Sequence, residues 1–334
     1  MTIGNRAESG RRAPVVWMFP GQGAQYYGMG RAHYERGGIF RYWMDRLDAV
    51  AADYVGQSVV DILYDGATSI GQPFDQILYT HPALFMVQYA AARTLLAEGF
   101  PAPDVLFGSS LGEFVAAAVA GTAEPEAMLF DLIKQARLFE AQCGGGAMLA
   151  VIAEAELFHT DPAFAGRCEL AGVNFDRCFV VSGRETDIRE LAAHLARRDV
   201  AHQMLPVPVA FHSSLVDPVE DIFLRTFSGA VRRPSEIPIL SCVEPAEDHG
   251  AATPAVDWWR IIRQPIAFQK ALEGFARDHG SAVYLDLGPS GNMATFTKYN
   301  LPKDRHDRII PIMTPTDRAG GNVALARDRL SALP

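Results

Sequence analysis

Gly108-Ser109-Ser110-Leu111-Gly112-Glu113 lies between an apolar run ending at Phe107 and a small-residue stretch, Phe114 to Ala120, that reads as a helix. Gly-x-Ser-x-Gly at a strand-to-helix junction is the pattern of a nucleophile elbow. Its glycines allow a turn too tight for a Cβ, so the middle serine is held in strained geometry at the start of a helix. The amides and the positive dipole end there favour a developing oxyanion. The chemistry this predicts is acyl transfer through an ester on Ser110. The structural alternative is a tight connection in which Ser110 only caps the helix. A serine nucleophile needs a base, which in hydrolase-like folds follows it in the chain. Of nine histidines, His212 in Val209-Ala210-Phe211-His212-Ser213-Ser214 is the best placed. Pro206 and Pro208 stiffen its approach, and it falls at a loop-to-helix boundary where a side chain can be aimed.

The elements around these residues must bring them together. Val15 to Phe19 reads as a short buried strand running into Pro20-Gly21-Gln22-Gly23, a loop whose glycines let the backbone approach a ligand. Residues 39–64 read as helical. Pro82 to about Glu98 reads as an amphipathic helix, with Thr80 as a possible cap and Pro82 in its first turn. Asp104 to Phe107 is the strand before the elbow, and helices follow at about 113–120 and 125–142. Strands alternating with helices predict a parallel sheet with both faces covered. The pattern changes after Gly144-Gly145-Gly146. Strands at 147–153, 169–173, 178–182 and 202–207, with a helix at 186–198, predict a small α+β insert. Helical pattern resumes at 214–227, followed by a strand at 237–241, a helix at 267–278 and a strand at 283–287.

Composition narrows the function classes. The chain is 49% hydrophobic and 21% charged with a net charge of −9, which predicts a folded protein and argues against nucleic acid as substrate. An acidic protein partner would need local positive charge, for which Arg260, Arg263, Lys298 and Lys303 are candidates. Cys143, Cys168, Cys178 and Cys242 are widely spaced with no Cys-x-x-Cys pair, so reduced thiols and a cytoplasmic setting are expected. No apolar run reaches membrane-spanning length, and the polar, arginine-rich stretch from Met1 to Pro14 lacks the apolar core of a secretory signal. No metal-ligand cluster stands out. Gly21-Gln22-Gly23 lacks the third glycine of a dinucleotide site.

Four motifs in order carry a resemblance to a known family. Phe19-Pro20-Gly21-Gln22-Gly23-Ala24-Gln25, Gly108 to Glu113, Ala210-Phe211-His212-Ser213 and Tyr284-Leu285-Asp286-Leu287-Gly288-Pro289 resemble the motifs of malonyl-CoA:acyl carrier protein transacylases and polyketide synthase acyltransferase domains. The resemblance spans residues 15 to about 301. It implies that Ser110 is acylated by a thioester and that His212 shuttles the proton. It implies an oxyanion hole from the amides of Gln22 and Leu111, and a main-chain carbonyl near Ile261 to orient His212. Asn174 matches a family asparagine near the substrate; a turn or capping residue is the alternative. No cofactor is implied. The acyl group would arrive on the phosphopantetheine of an acyl carrier protein of a polyketide synthase, or on CoA. The implied fold is an α/β-hydrolase-like core (15–145 and 209–313) with a ferredoxin-like insert (146–208) and the site in the cleft between them. Residues 1–14 and 314–334 are expected to be a disordered tail and a peripheral tail.

Departures from that family pattern carry the finer reading. Malonyl-using members place an arginine on the helix after the elbow to grip the free carboxylate. Ungapped alignment from Ser110 and Gly121 puts Gln135 there. Arg137, two residues on, would be rotated by roughly 200° to the opposite face. Loss of a bidentate clamp costs a dicarboxylic substrate about 2–5 kcal/mol. His81 in Thr80-His81-Pro82-Ala83-Leu84 stands where the family has glutamine, and either positions water or fills space. Ser109 replaces the histidine of the elbow and reshapes the pocket beside the nucleophile. With Lys134 to Glu140, Asp286 to Gly291 and Lys298 to Leu301, these changes resemble the trans-acting acyl hydrolases that accompany polyketide synthases lacking built-in acyltransferase domains. That branch implies a proofreading thioesterase. A transferase of monocarboxylic or larger acyl groups is the alternative, with the same two catalytic residues.

Overall fold

The computed structural model describes residues 12–227, 233–243, 257–317 and 320–332. The first run of elements is β1 (Val15–Phe19), α1 (Arg31–Arg36), α2 (Gly38–Val55), α3 (Val59–Tyr64), α4 (Ile77–Ala97), β2 (Val105–Gly108), α5 (Leu111–Val119) and α6 (Pro125–Gln142). The second is β3 (Gly146–Val151), α7 (Glu156–Thr160), β4 (Cys168–Phe175), β5 (Cys178–Arg184), α8 (Glu185–Arg197) and β6 (His202–Met204). The third is α9 (Glu220–Thr226), β7 (Ile239–Ser241), α10 (Trp258–Arg263), α11 (Phe268–Asp278), β8 (Val283–Asp286), α12 (Asn292–Asn300), β9 (Ile309–Pro311) and α13 (Gly321–Ser331).

The larger sheet is parallel, in the order β7-β2-β1-β8-β9. Its strands are apolar on both faces because helices cover both. Side-chain alternation divides the core between them: Trp17, Phe19, Leu106 and Leu285 join the α4 and α5 side, while Val16, Met18, Phe107 and Tyr284 pack with Phe268 and Leu272 of α11. The mixed α/β class with a parallel sheet expected from the sequence is the one found. The smaller sheet is antiparallel, in the order β4-β5-β3-β6. Its β3-α7-β4-β5-α8-β6 succession is the ferredoxin-like arrangement. Ile188, Leu191 and Leu195 of α8 pack with Leu149, Phe179 and Val181 of this sheet. The two sheets meet where the chain beyond α10 joins the edge of β4. Val173 N–H donates to Ile266 O at 3.0 Å and Ile266 N–H to Ala171 O at 2.8 Å.

Two elements differ from expectation. The helix at Pro82 starts earlier, at Ile77, with Pro82 inside it, and is buried on nearly every side instead of being amphipathic. Its first turn is capped from outside: Leu78 N–H donates to the Glu140 carboxylate at 3.0 Å, so Thr80 is not the cap. The C-terminal segment is also less peripheral than expected, although 318–319 and 333–334 lie outside the described residues. α13 buries Val323 and Ala326, and Arg327 pairs with Glu98 at 3.0 Å. The expected disordered tail falls largely on residues 1–11, also outside the described residues, while Arg12 pairs with Asp104 at 2.9 Å.

Candidate active site

The elbow is built as the sequence pattern requires. Ser110, between β2 and α5, has φ 53° and ψ −121°, a strained conformation for a residue with a Cβ. Packing holds it there. A Cβ on Gly108 would lie 2.5 Å from Glu113 Cα, and one on Gly112 would lie 1.8 Å from Phe19 O. Ser110 stands at the cap position of α5, but its hydroxyl makes no capping bond. It meets His212 Nε2 at 3.0 Å instead, which removes the capping alternative.

His212, at φ 60°, is pinned from several elements. Its N–H donates to Ile262 O at 2.9 Å. The preceding carbonyl, Phe211 O, accepts from Ser182 Oγ of β5 at 2.5 Å. Gly146 leaves room for this segment, since a Cβ there would lie 2.3 Å from Ala210 N. The ring's Nδ1 lies 2.8 Å from the carbonyl of Gln264. A carbonyl only accepts, so Nδ1 carries the proton and Nε2 is left to accept from Ser110. Burial lowers the His212 pKa to about 4, against the raising effect of the Gln264 carbonyl. The ring is therefore neutral at ordinary pH, with Nε2 open to take a proton.

The orienting carbonyl corrects the expectation of Ile261. That residue is inside α10, where carbonyls point along the helix axis. The chain leaves the helix at Gln264, in extended geometry with ψ 151°, and there the carbonyl turns toward the ring. Sequence alone gave no signal for this register, because a main-chain acceptor leaves no side-chain signature.

The loop after β1 lies against the elbow. A Cβ on Gly21 would be 2.8 Å from Ser109 O and 2.9 Å from Ser110 Cβ. Among the described residues, the next amide, Gln22 N–H, and the first amide of α5, Leu111 N–H, have no main-chain acceptor in the turns and loops. Three buried contacts that the sequence reading missed hold this loop. Gln88 Nε2 of α4 donates to Pro20 O at 3.2 Å. Gln25 Nε2 donates to Pro206 O at 3.0 Å, tying the loop to the segment that leads to His212. Gly288 lets Pro20 approach, because a Cβ there would lie 2.2 Å from Pro20 Cγ. The Gln22 side chain itself donates to Thr80 Oγ1 at 3.0 Å.

The remaining candidates separate. Gln135 is buried on α6 at 5% exposure, and its Oε1 has no hydrogen-bond partner. Arg137 is exposed on the other side of α6 and donates to the Tyr54 carbonyl at the end of α2. The guanidinium is thus turned away, as the helical spacing predicts. His81 is also buried, with Nδ1 unpartnered. Ser109 lies toward the Cys242 thiol, behind the elbow. Asn174 spans the β4–β5 turn, where its Nδ2 meets Cys178 Sγ at 3.7 Å and its carbonyl accepts from Asn300 at 2.7 Å. Asn174 lies inside β4, one residue before its end. Of the surface cations, Arg263 is engaged by Asp217. Among the described residues no cluster suited to a metal ion is found, and no helix is long and apolar enough to cross a membrane.

The arrangement can do one thing directly: move the Ser110 proton to a neutral imidazole oriented by the Gln264 carbonyl. Comparison with known proteins places the chain in a family. Residues 16–327 match the family model described as "Acyl transferase domain". The chain is 40% identical over 308 residues to "Polyketide biosynthesis acyltransferase homolog PksD" of Bacillus subtilis, covering 90% of this chain and 92% of that protein. It is 37% identical over 324 residues to "Polyketide biosynthesis acyltransferase homolog BaeD" of Bacillus velezensis, covering 96% and 98%. A loading acyltransferase from the avermectin modular polyketide synthase superposes with a TM-score of 0.81 at 27% identity, covering 94% of this chain and 99% of that one.

Proposed function

Given that the chain belongs to the acyltransferase-domain family, we propose that it hydrolyses acyl thioesters carried on the phosphopantetheine of an acyl carrier protein in polyketide biosynthesis, removing stalled acyl units. In the first half-reaction, Ser110 Oγ attacks the thioester carbonyl while its proton passes to His212 Nε2. The oxyanion is held by the amides of Gln22 and Leu111. The tetrahedral intermediate collapses, and the C–S bond breaks as the departing thiolate takes the proton from His212. In the second half-reaction, His212 removes a proton from water, the hydroxide attacks the Ser110 ester, and the carboxylic acid leaves as Ser110 recovers its proton.

One observation carries the choice of substrate: Gln135 is buried with a free amide oxygen while Arg137 is turned away to Tyr54. A neutral amide at the position of a family arginine removes the grip on a malonyl carboxylate and favours an uncharged chain. The test is incubation of the protein with acetyl- and malonyl-loaded carrier, with no second thiol present. Free acetic acid released over many turnovers, abolished by Ser110→Ala, is expected. A stable acyl-enzyme that discharges only to CoA or a second carrier would make the protein a transferase.

A further inference from the structure

His81 of α4 and Gln135 of α6 are two buried polar side chains, each with an atom that has no hydrogen-bond partner. His81, on α4, leans a ring nitrogen toward the Leu132 carbonyl of α6. Its Nδ1 has no hydrogen-bond partner, although the residue is only 2% exposed. Burial drives the His81 pKa down to about 3, so the ring is neutral. With its proton directed at the carbonyl, it presents Nδ1 as a bare acceptor. Gln135 follows Leu132 by three residues, and such neighbours share one helix face. Its Oε1 is likewise buried and unpartnered. One turn further along, Phe139 packs edge-on against Phe211, with ring centroids 5.0 Å apart. The His81 ring is 5.8 Å from the same Phe211 ring. Phe211 immediately precedes His212, so His81 packs against the residue next to His212, and Gln135 lies one helical turn from Phe139, which packs on that same residue.

An all-hydrocarbon acyl chain packed against these two groups would leave both without partners. A carboxylate would set acceptor oxygens against the His81 lone pair. A hydroxyl satisfies both groups once the Gln135 amide is turned over: its O–H donates to Nδ1, and its oxygen accepts from the Gln135 NH₂. We propose that His81 and Gln135 together select acyl chains bearing a hydroxyl close to the thioester. The inference rests on acyl uptake by Ser110 and is indifferent to whether water or a thiol later removes the acyl group.

The experiment measures single-turnover acylation of Ser110, by intact mass, from matched 3-hydroxybutyryl and butyryl thioesters of N-acetylcysteamine. The wild type is expected to take the hydroxylated chain at least about tenfold faster, the scale set by leaving a buried acceptor unsatisfied. His81→Phe and Gln135→Met are each expected to bring that ratio toward one. His81→Asn, which retains an acceptor, is expected to keep part of the preference. Labelling of Ser110 by a fluorophosphonate shows that each variant is folded at the site. A wild-type ratio near one, or a ratio unchanged in both His81→Phe and Gln135→Met, overturns the proposal. Absence of any acylation from either thioester overturns the catalytic reading itself, and this inference with it.

Discussion

At the scale of single residues, the proposed function turns on the charge of two side chains, which sets what the site would accept and when it would work. Gln135 offers a neutral amide from the buried face of α6, whereas Arg137 is bound to Tyr54 O on the exposed face. Gln135→Arg is therefore expected to raise loading from malonyl-CoA relative to acetyl-CoA by about tenfold or more, as a guanidinium–carboxylate pair forms in a desolvated wall. Arg137→Ala is expected to leave that ratio unchanged. Intact-mass measurement of the acyl-enzyme reads both, and a malonyl preference already present in the wild type would remove the basis for the comparison. The second residue is His212. Burial holds its pKa at about 4, so the free enzyme keeps its base deprotonated well into acid. The pH profile of kcat/KM is expected to stay flat down to about pH 5 and to fall about tenfold per unit below about pH 4. An acidic limb centred on the ordinary histidine value would mean that the ring is solvated in solution.

At the scale of elements, the site is a junction of loops that each end a strand of the parallel sheet. Pro20 leaves β1, Ser110 leaves β2 and Gly288 follows β8, and all three meet through contacts that leave no room for a Cβ. Gly288→Ala forces a methyl to within 2.2 Å of Pro20 Cγ and must move the loop carrying the Gln22 amide. The expected result is a fall in kcat of about 10²-fold or more with KM little changed, since a displaced oxyanion donor acts mainly in the transition state. A change confined to KM would place the Gln22 amide outside the oxyanion hole. These junctions also mark what the sequence could disclose. The elbow and His212 were legible because their function demands particular residue types at fixed spacing. The parallel sheet was legible because buried strands are apolar on both faces, as Val15 to Phe19 are. Gln264 was not legible, because any residue supplies a carbonyl. The true start of α4 was hidden by Pro82, whose usual place in a first turn misdirects the reading when tertiary burial extends the helix past it. α13 was hidden by a polar composition that keeps only a narrow apolar stripe for Val323 and Ala326.

At the scale of the whole molecule, burying ionisable groups behind the catalytic turn gives the folded state opposing proton demands. His212 and His81 have pKa values of about 4 and about 3, below their unfolded value of 6.5. As pH falls below about 6.5, the unfolded chain takes up protons that the folded one refuses, and stability declines. Glu113 acts in the other direction. It sits at the start of α5, where Ser241 Oγ and Cys242 N–H donate to its Oε1 at 3.0 and 3.2 Å, joining the elbow helix to the end of β7. Burial raises its pKa to about 8, outweighing those two donors. Because the folded value lies above the unfolded 4.5, its contribution is fully present below about pH 4.5 and is lost as pH rises through about 8. Between about pH 6.5 and 7.5 the unfolded histidines lose their last protons and add a small opposing slope, and above that only Glu113 acts, so Glu113 is expected to leave the wild type measurably less stable at about pH 8.5 than at about pH 6.5. Glu113→Gln keeps an oxygen for Ser241 and Cys242 and replaces the carboxylic O–H with an N–H donor, without an ionisation to suppress. Urea unfolding at about pH 6.5 and about pH 8.5 is expected to show a falling midpoint in the wild type and a flatter one in Glu113→Gln. Equal slopes in the two proteins would mean that Glu113 is already ionised in the folded state, and that its two donors hold a carboxylate.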